Sequence, residues 1–257
     1  MRNIMRKILL QLACMVIAAV VPGLTIAGQP VTVTTSPSSI LIGTQYDGMK
    51  LEVSGTIPAG SDVVLRFTGA PTELHLREKG KVFGLLWMNV GKVVVDNVPK
   101  VCIIDSSSPF DKLGPAAASL SLAGLMKQIK VEEGPGASSI DIEKELLLLK
   151  KNELLYRESE SGVVLGPDNG ETRTFSAVLP IPSALAPGHY QVDVAAVRDG
   201  QVIAESSTAI NAKMVGFPDW LSKLAFGRSL LYGVMATVIA LVSGLAIGLV
   251  FQSKGAH

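Results

Sequence analysis

The sequence predicts a mainly β domain of two packed sheets, interrupted by a helical pair and followed by one C-terminal membrane-spanning helix. Three observations predict it. From Val31 onward apolar and polar residues alternate in short runs, punctuated by Gly, Pro, Asp and Asn. That is the pattern of half-buried strands, and turn signals every roughly 8–12 residues favour a sandwich over alternating strands and helices. Between Pro115 and Arg157 the period changes to a helical one. Finally, Leu230–Phe251 contains no Asp, Glu, Lys or Arg. At about 1.5 Å per residue such a run spans the roughly 30 Å hydrocarbon core of a bilayer.

The N-terminus reads as an export signal covering residues 1–27. Arg2, Arg6 and Lys7 precede an apolar stretch from Ile8 to Val21, Pro22-Gly23 breaks it, and Thr25-Ile26-Ala27 offers a small-residue cleavage site before Gly28. An uncleaved anchor is the competing reading. Export followed by a late stop places residues 28–216 outside, with 217–228 as a juxtamembrane segment, 229–251 as the span and 252–257 as an inner tail. Charge bias argues the other way, because Lys213, Lys223 and Arg228 lie before the span and Lys254 alone lies after it. The signal acts first during synthesis, so it decides the expected topology.

A net charge of +1 gives no global field toward nucleic acid or other polyanions, and no nucleic-acid partner is expected. The mean hydropathy of +0.40 reflects the two terminal apolar segments. Of the 2 cysteines, Cys14 lies in the signal. Cys102 then has no internal disulfide partner and, within Val101-Cys102-Ile103-Ile104, reads as a small buried hydrophobe.

Taken in order, Val31–Thr34 reads as an edge strand, and Ile40–Ile42 follows the Ser36-Pro37 break. Strands are expected at Met49–Val53, Val63–Phe67, Val93–Val95 and Val101–Ile104. Glu73–Arg77 and Val82–Asn89 form a hairpin whose polar tip would be Glu78-Lys79-Gly80-Lys81. A first helix is expected over Ala116–Glu133 and is stopped by Gly134-Pro135-Gly136. A second, capped by Ser138 or Ser139, runs to about Arg157, so the insertion covers about 115–158. Strands return at Thr172–Leu179, Gly188–Val194 and Val202–Asn211, the last two joined by an Asp199-Gly200 hairpin turn. Pro187-Gly188-x-Tyr190-x-Val192-x-Val194 matches the entry into the penultimate strand of an immunoglobulin-like sandwich, where Tyr190 would return its hydroxyl to the backbone. Two small β lobes separated by a helical hairpin are the alternative.

Recognisable chemistry is sparse. Gly43–Lys50 resembles a phosphate loop, but Met49 splits the Gly-Lys pair and the segment joins two strands instead of opening a helix. Asp105, with Arg77 and His75, could form an unfamiliar catalytic site, although a polar strand-end turn explains Asp105-Ser106-Ser107-Ser108 better. A soft-metal site from His75 or His189 with Met88 or Cys102 is the other option. Ordinary surface histidines and core residues account for all of these, so no catalytic, cofactor-binding or metal residue is assigned, no cofactor is expected, and the chain is not read as an enzyme.

The span carries the more specific pattern. Ala236, Ala240, Gly244 and Gly248 recur every fourth residue, forming a smooth stripe that lets another helix approach closely. Just before it, Phe217, Trp220, Lys223 and Arg228 mix aromatic and basic groups in the manner of anchors at the lipid headgroups.

The chain resembles a bacterial family of transmembrane proteins, Alph_Pro_TM. The resemblance rests on Leu155-Tyr156-Arg157-Glu158, Leu179-Pro180-Ile181-Pro182 with Pro187-Gly188-x-Tyr190, Arg198-Asp199-Gly200, Lys213-x-Val215-Gly216-Phe217 and Leu231-Tyr232-Gly233. Gly55–Val64 and Lys81-Val82-x-Gly84 through Trp87-x-Asn89 are similar too, while region 113–139 matches no family feature. It implies an exported domain and one C-terminal span in a bacterial cytoplasmic membrane, with the bulk on the periplasmic side. With no established activity in the family, it supplies no catalytic residues. The expected partners are the lipid bilayer and either a second copy or another membrane protein, such as a multi-pass permease. The expected role is that of a binding or accessory module.

Overall fold

The computed structural model describes residues 31–133 and 141–252. The signal assigned to residues 1–27, Ser138, Ser139 and Lys254 lie outside them.

Four strands form the first sheet, in the order β1 (Thr32–Ser36), β3 (Met49–Pro58), β11 (Thr172–Ile181) and β10 (Val164–Asn169). Six form the second, in the order β2 (Ser39–Ile42), β13 (Gln201–Met214), β12 (Gly188–Arg198), β4 (Asp62–Gly69), β7 (Cys102–Ser106) and β9 (Tyr156–Ser159). Labelled as in immunoglobulin domains, the first sheet is A-B-E-D and the second contains G-F-C, with β2 beside G and β7–β9 beyond C. The Ser36-Pro37 break is where the chain crosses between sheets: β1 pairs antiparallel with β3, and β2 pairs parallel with β13. Strands from both halves of the chain interleave, β11 on β3 and β12 on β4, so the two-lobe alternative is replaced by one sandwich.

Alternation explains the core between the sheets. Leu51, Val53 and Ile57 of β3 and Phe175, Ala177 and Leu179 of β11 meet Val63, Leu65 and Phe67 of β4 and Val192, Val194 and Ala196 of β12. The expected corner is present. Tyr190 stacks on Phe67 with ring centroids 5.1 Å apart, and its hydroxyl donates to Ala186 O at 2.6 Å.

The second sheet is buried on its other face as well, which gives the molecule a third layer. Val64, Cys102, Ile104, Ala195 and Val197 point away from the sandwich core and are covered by the residues between β4 and β10. This insertion differs from the expected helical pair. The segment expected as one helix over 116–133 contains α2 (Pro115–Ala118), α3 (Leu122–Met126) and then a strand, β8 (Lys130–Glu133); the short helix α1 (Phe110–Leu113) precedes them. Ser121 interrupts the run because its side chain accepts the N–H of Gly124 and restarts the helix, with Glu158 of β9 accepting the N–H of Leu122 at 2.6 Å. β8 extends because it pairs antiparallel with β6 (Leu86–Pro99). The second helix, α4 (Ile142–Asn152), is capped by Asp141, whose carboxylate accepts the N–H of Lys144 at 3.1 Å. It stops before Arg157, since Tyr156–Ser159 pairs in parallel with β7. Of its four consecutive leucines, Leu146 is buried and Leu148 and Leu149 are exposed.

The hairpin formed by β5 (Pro71–Val82) and β6 is longer than expected and turns elsewhere. Lys79 pairs with Asn89 and Lys81 with Trp87, so both lie within the ladder. The chain reverses at Phe83-Gly84-Leu85, where Phe83 has φ 54° and Gly84 has φ 73°. The tip is therefore apolar.

Candidate functional site

The chain leaves β13 through Val215, whose N–H donates to Ile42 O at 3.0 Å, and enters α5 (Phe217–Gly227). Pro218 occupies the first turn and Asp219 favours the helix N-terminus. Phe217 and Trp220 stack with centroids 5.7 Å apart, and Lys223 reaches Asp219 at 2.7 Å one turn earlier. Arg228 forms the joint: its N–H donates to Leu224 O, and its own carbonyl accepts the N–H of Tyr232 in the first turn of α6 (Ser229–Gln252). The four expected anchors thus lie on one short helix and its hinge, with Phe217, Trp220, Lys223 and Arg228 all exposed.

Along α6 the segment Ser229–Phe251 has a mean hydropathy of 2.5, and 0% of its most apolar stretch is buried by the other described residues. A helix of this length that is apolar on all sides and left uncovered by the described residues is suited to lipid. Ala236, Ala240, Gly244 and Gly248 follow one another at single-turn spacing, and a Cβ built on Gly244 or Gly248 would meet nothing within 4 Å. Within the helix, Thr237 returns its hydroxyl to Gly233 O at 2.9 Å, which satisfies it away from water.

The chemistry-bearing residues are dispersed. His75 and Arg77 lie on the exposed face of β5, where His75 Nε2 is 3.2 Å from Glu73 Oε1. Asp105 lies buried in β7, so the three that could have formed a catalytic site are not brought together. His189 Nδ1 pairs with Asn211 Oδ1 at 2.6 Å, Met88 is exposed near the hairpin tip, and Cys102 is buried. Burial pushes the Cys102 thiol up to about 12, opposed in part by the charge of Arg66. Among the described residues no three His, Cys, Asp or Glu side chains cluster as metal ligands.

A groove of about 540 Å³ runs from the outward residues Lys50, Glu52 and Ser54 of β3 to Asp105, Arg157, Ser159 and Gly162. Asp105 is 5% exposed, and its Oδ1 accepts the N–H groups of Ser106 at 2.9 Å and Gly162 at 3.1 Å. Burial raises its carboxyl above the usual carboxylate range; those two N–H groups, the Ser159 hydroxyl and the Arg157 charge oppose the rise. A Cβ on Gly162 would collide with the Asp105 carboxylate, so a larger residue there would push that side chain aside. Asp105 therefore fastens the turn between β9 and β10 from within strand β7, where a polar strand-end turn was expected at Asp105–Ser108. Arg157 and Ser159 reach it only because Tyr156–Ser159 is a strand beside β7, a pairing that local periodicity does not announce.

No curated protein matches the chain. The family described as "Putative transmembrane protein (Alph_Pro_TM)" matches residues 30–253, from the first strand of the sandwich to the end of the apolar helix. With both the β domain and the span inside that match, the chain belongs to the Alph_Pro_TM family of transmembrane proteins.

Proposed function

We propose that this protein is a non-enzymatic binding or accessory module: an immunoglobulin-like domain held at a membrane by one helix and assembled through that helix with another membrane protein. The observation that carries the reading is the stripe Ala236, Ala240, Gly244, Gly248, open to approach along its glycines. In lipid, helices gain little from burying more apolar surface, so close backbone contact across small residues is a principal source of association. The helix would sit in the cytoplasmic membrane of a bacterium, with residues 28–216 in the periplasm and 252–257 inside. A multi-pass permease is the partner type that fits a single-span accessory chain. A second copy of this chain is the competing partner.

Mild detergent extraction followed by size separation tests it. Wild type is expected to migrate in a complex, and Gly244→Leu/Gly248→Leu, which fills the stripe without altering the apolar length, is expected to release it. If both migrate as lone monomers, the proposal fails.

A further inference from the structure

The turn of the β5–β6 ribbon is among the most exposed apolar surfaces of the β domain. Phe83 is 92% exposed, Leu85 84%, Leu86 62% and Trp87 67%, with Met88 beside them. A hairpin end in water is ordinarily polar, and contiguous exposed apolar residues of this size mark a contact surface.

The strand registers say at which end of the sandwich the ribbon is rooted. β13 delivers the chain to α5 at its Met214 end. Ala212 of β13 faces Gly188 of β12, Tyr190 of β12 faces Gly69 of β4, and Thr68 of β4 faces Cys102 of β7. The ribbon's base, Pro71 opposite Pro99, therefore lies at the same end as the entry to the membrane helix. Leu76 and Val93 face each other as the outermost pair of the ribbon packed in the third layer. From there to Phe83 the ribbon extends by about 20 Å at the usual strand rise.

Its charge is also one-sided. Arg77, Lys79, Lys81 and Lys92 flank the tip against Glu78 alone, and Lys81 Nζ sits 5.4 Å over the Trp87 ring. Apolar side chains at the extremity, a tryptophan with Lys81 opposite it and Lys79 two residues further back are layered as acyl chains, interface and anionic headgroups are layered.

We propose that the Phe83–Met88 tip inserts into the membrane that holds α6 and gives the domain a second attachment, with Lys79 and Lys81 on anionic lipid headgroups. Two attachments fix the tilt of the sandwich, which a lone helix and hinge at Arg228 leave free. The proposal holds for either orientation of the chain, because domain and ribbon lie on one side of the span.

Full-length protein carrying Trp220→Phe, which leaves Trp87 as its single tryptophan, is reconstituted into phosphatidylcholine–phosphatidylglycerol liposomes. The expected result is a blue-shifted Trp87 emission that lipids brominated near the headgroup quench strongly. Phe83→Asp/Leu85→Asp, at sites with no packing to lose, is expected to abolish that quenching, and Lys79→Glu/Lys81→Glu to weaken it. Water-like emission insensitive to brominated lipid overturns the proposal. So does emission that is water-like in these liposomes but shielded in native membrane vesicles, which would assign the tip to a protein.

Discussion

Two buried tyrosines end on backbone carbonyls, and their surroundings predict different costs for removing the same hydroxyl. Tyr156 donates to Pro99 O at 2.8 Å, and both residues are buried. The residue opposite Pro99 in the ribbon is Pro71, which has no N–H to offer. Tyr156→Phe therefore leaves a carbonyl without a donor in a place that water does not reach. Losing the bond and stranding the acceptor costs about 2 kcal/mol, within the 1–3 kcal/mol typical of buried unsatisfied groups. For a chain of this size that lowers Tm by about 4–8 °C. Tyr190 donates to Ala186 O at 2.6 Å, a shorter bond, but Ala186 is exposed. In Tyr190→Phe water takes over the carbonyl and the stack on Phe67 survives, so the cost is at most about 1 kcal/mol, or 2–4 °C. Thermal unfolding of the full-length protein in mild detergent, followed by near-ultraviolet circular dichroism, reads both. If Tyr190→Phe proves as costly as Tyr156→Phe, acceptor burial is not what sets the price.

Two further outcomes follow from the buried titratable groups. Asp105 has its pKa raised on folding, so its contribution to stability is fully present below the ordinary carboxylate value of about 3.9 and is lost as pH rises through the folded value. Asp105→Asn, whose amide oxygen can accept the same N–H groups, is expected to gain on wild type as pH rises above about 4; urea midpoints that differ by a constant amount at every pH would refute it. Cys102 is 0% exposed and its thiol is pushed up to about 12, so it should resist maleimide in the folded chain at neutral pH and react once urea unfolds the domain. Labelling of the native protein at the unfolded rate would contradict that burial.

Whatever depends on local period was legible in the residues themselves. Alternation from Val31 marked the strands, Pro187-Gly188-x-Tyr190 marked the corner, and the uncharged run Leu230–Phe251 marked the span, because side-chain spacing and length are local quantities. The membrane-side features were legible for the same reason: Ala236, Ala240, Gly244 and Gly248 share a face on any α-helix. Long-range pairing decided the rest. Lys130–Glu133 and Tyr156–Ser159 abandon the helix because β6 and β7 offer them ladder partners far along the chain. The hairpin tip moved from Lys79-Gly80 to Phe83-Gly84-Leu85 because register along the whole ribbon, not the local turn chemistry, fixed where the two strands end. That shift turned an expected polar tip into an apolar one, and composition could not reveal it, since exposure is a property of what the rest of the fold leaves uncovered.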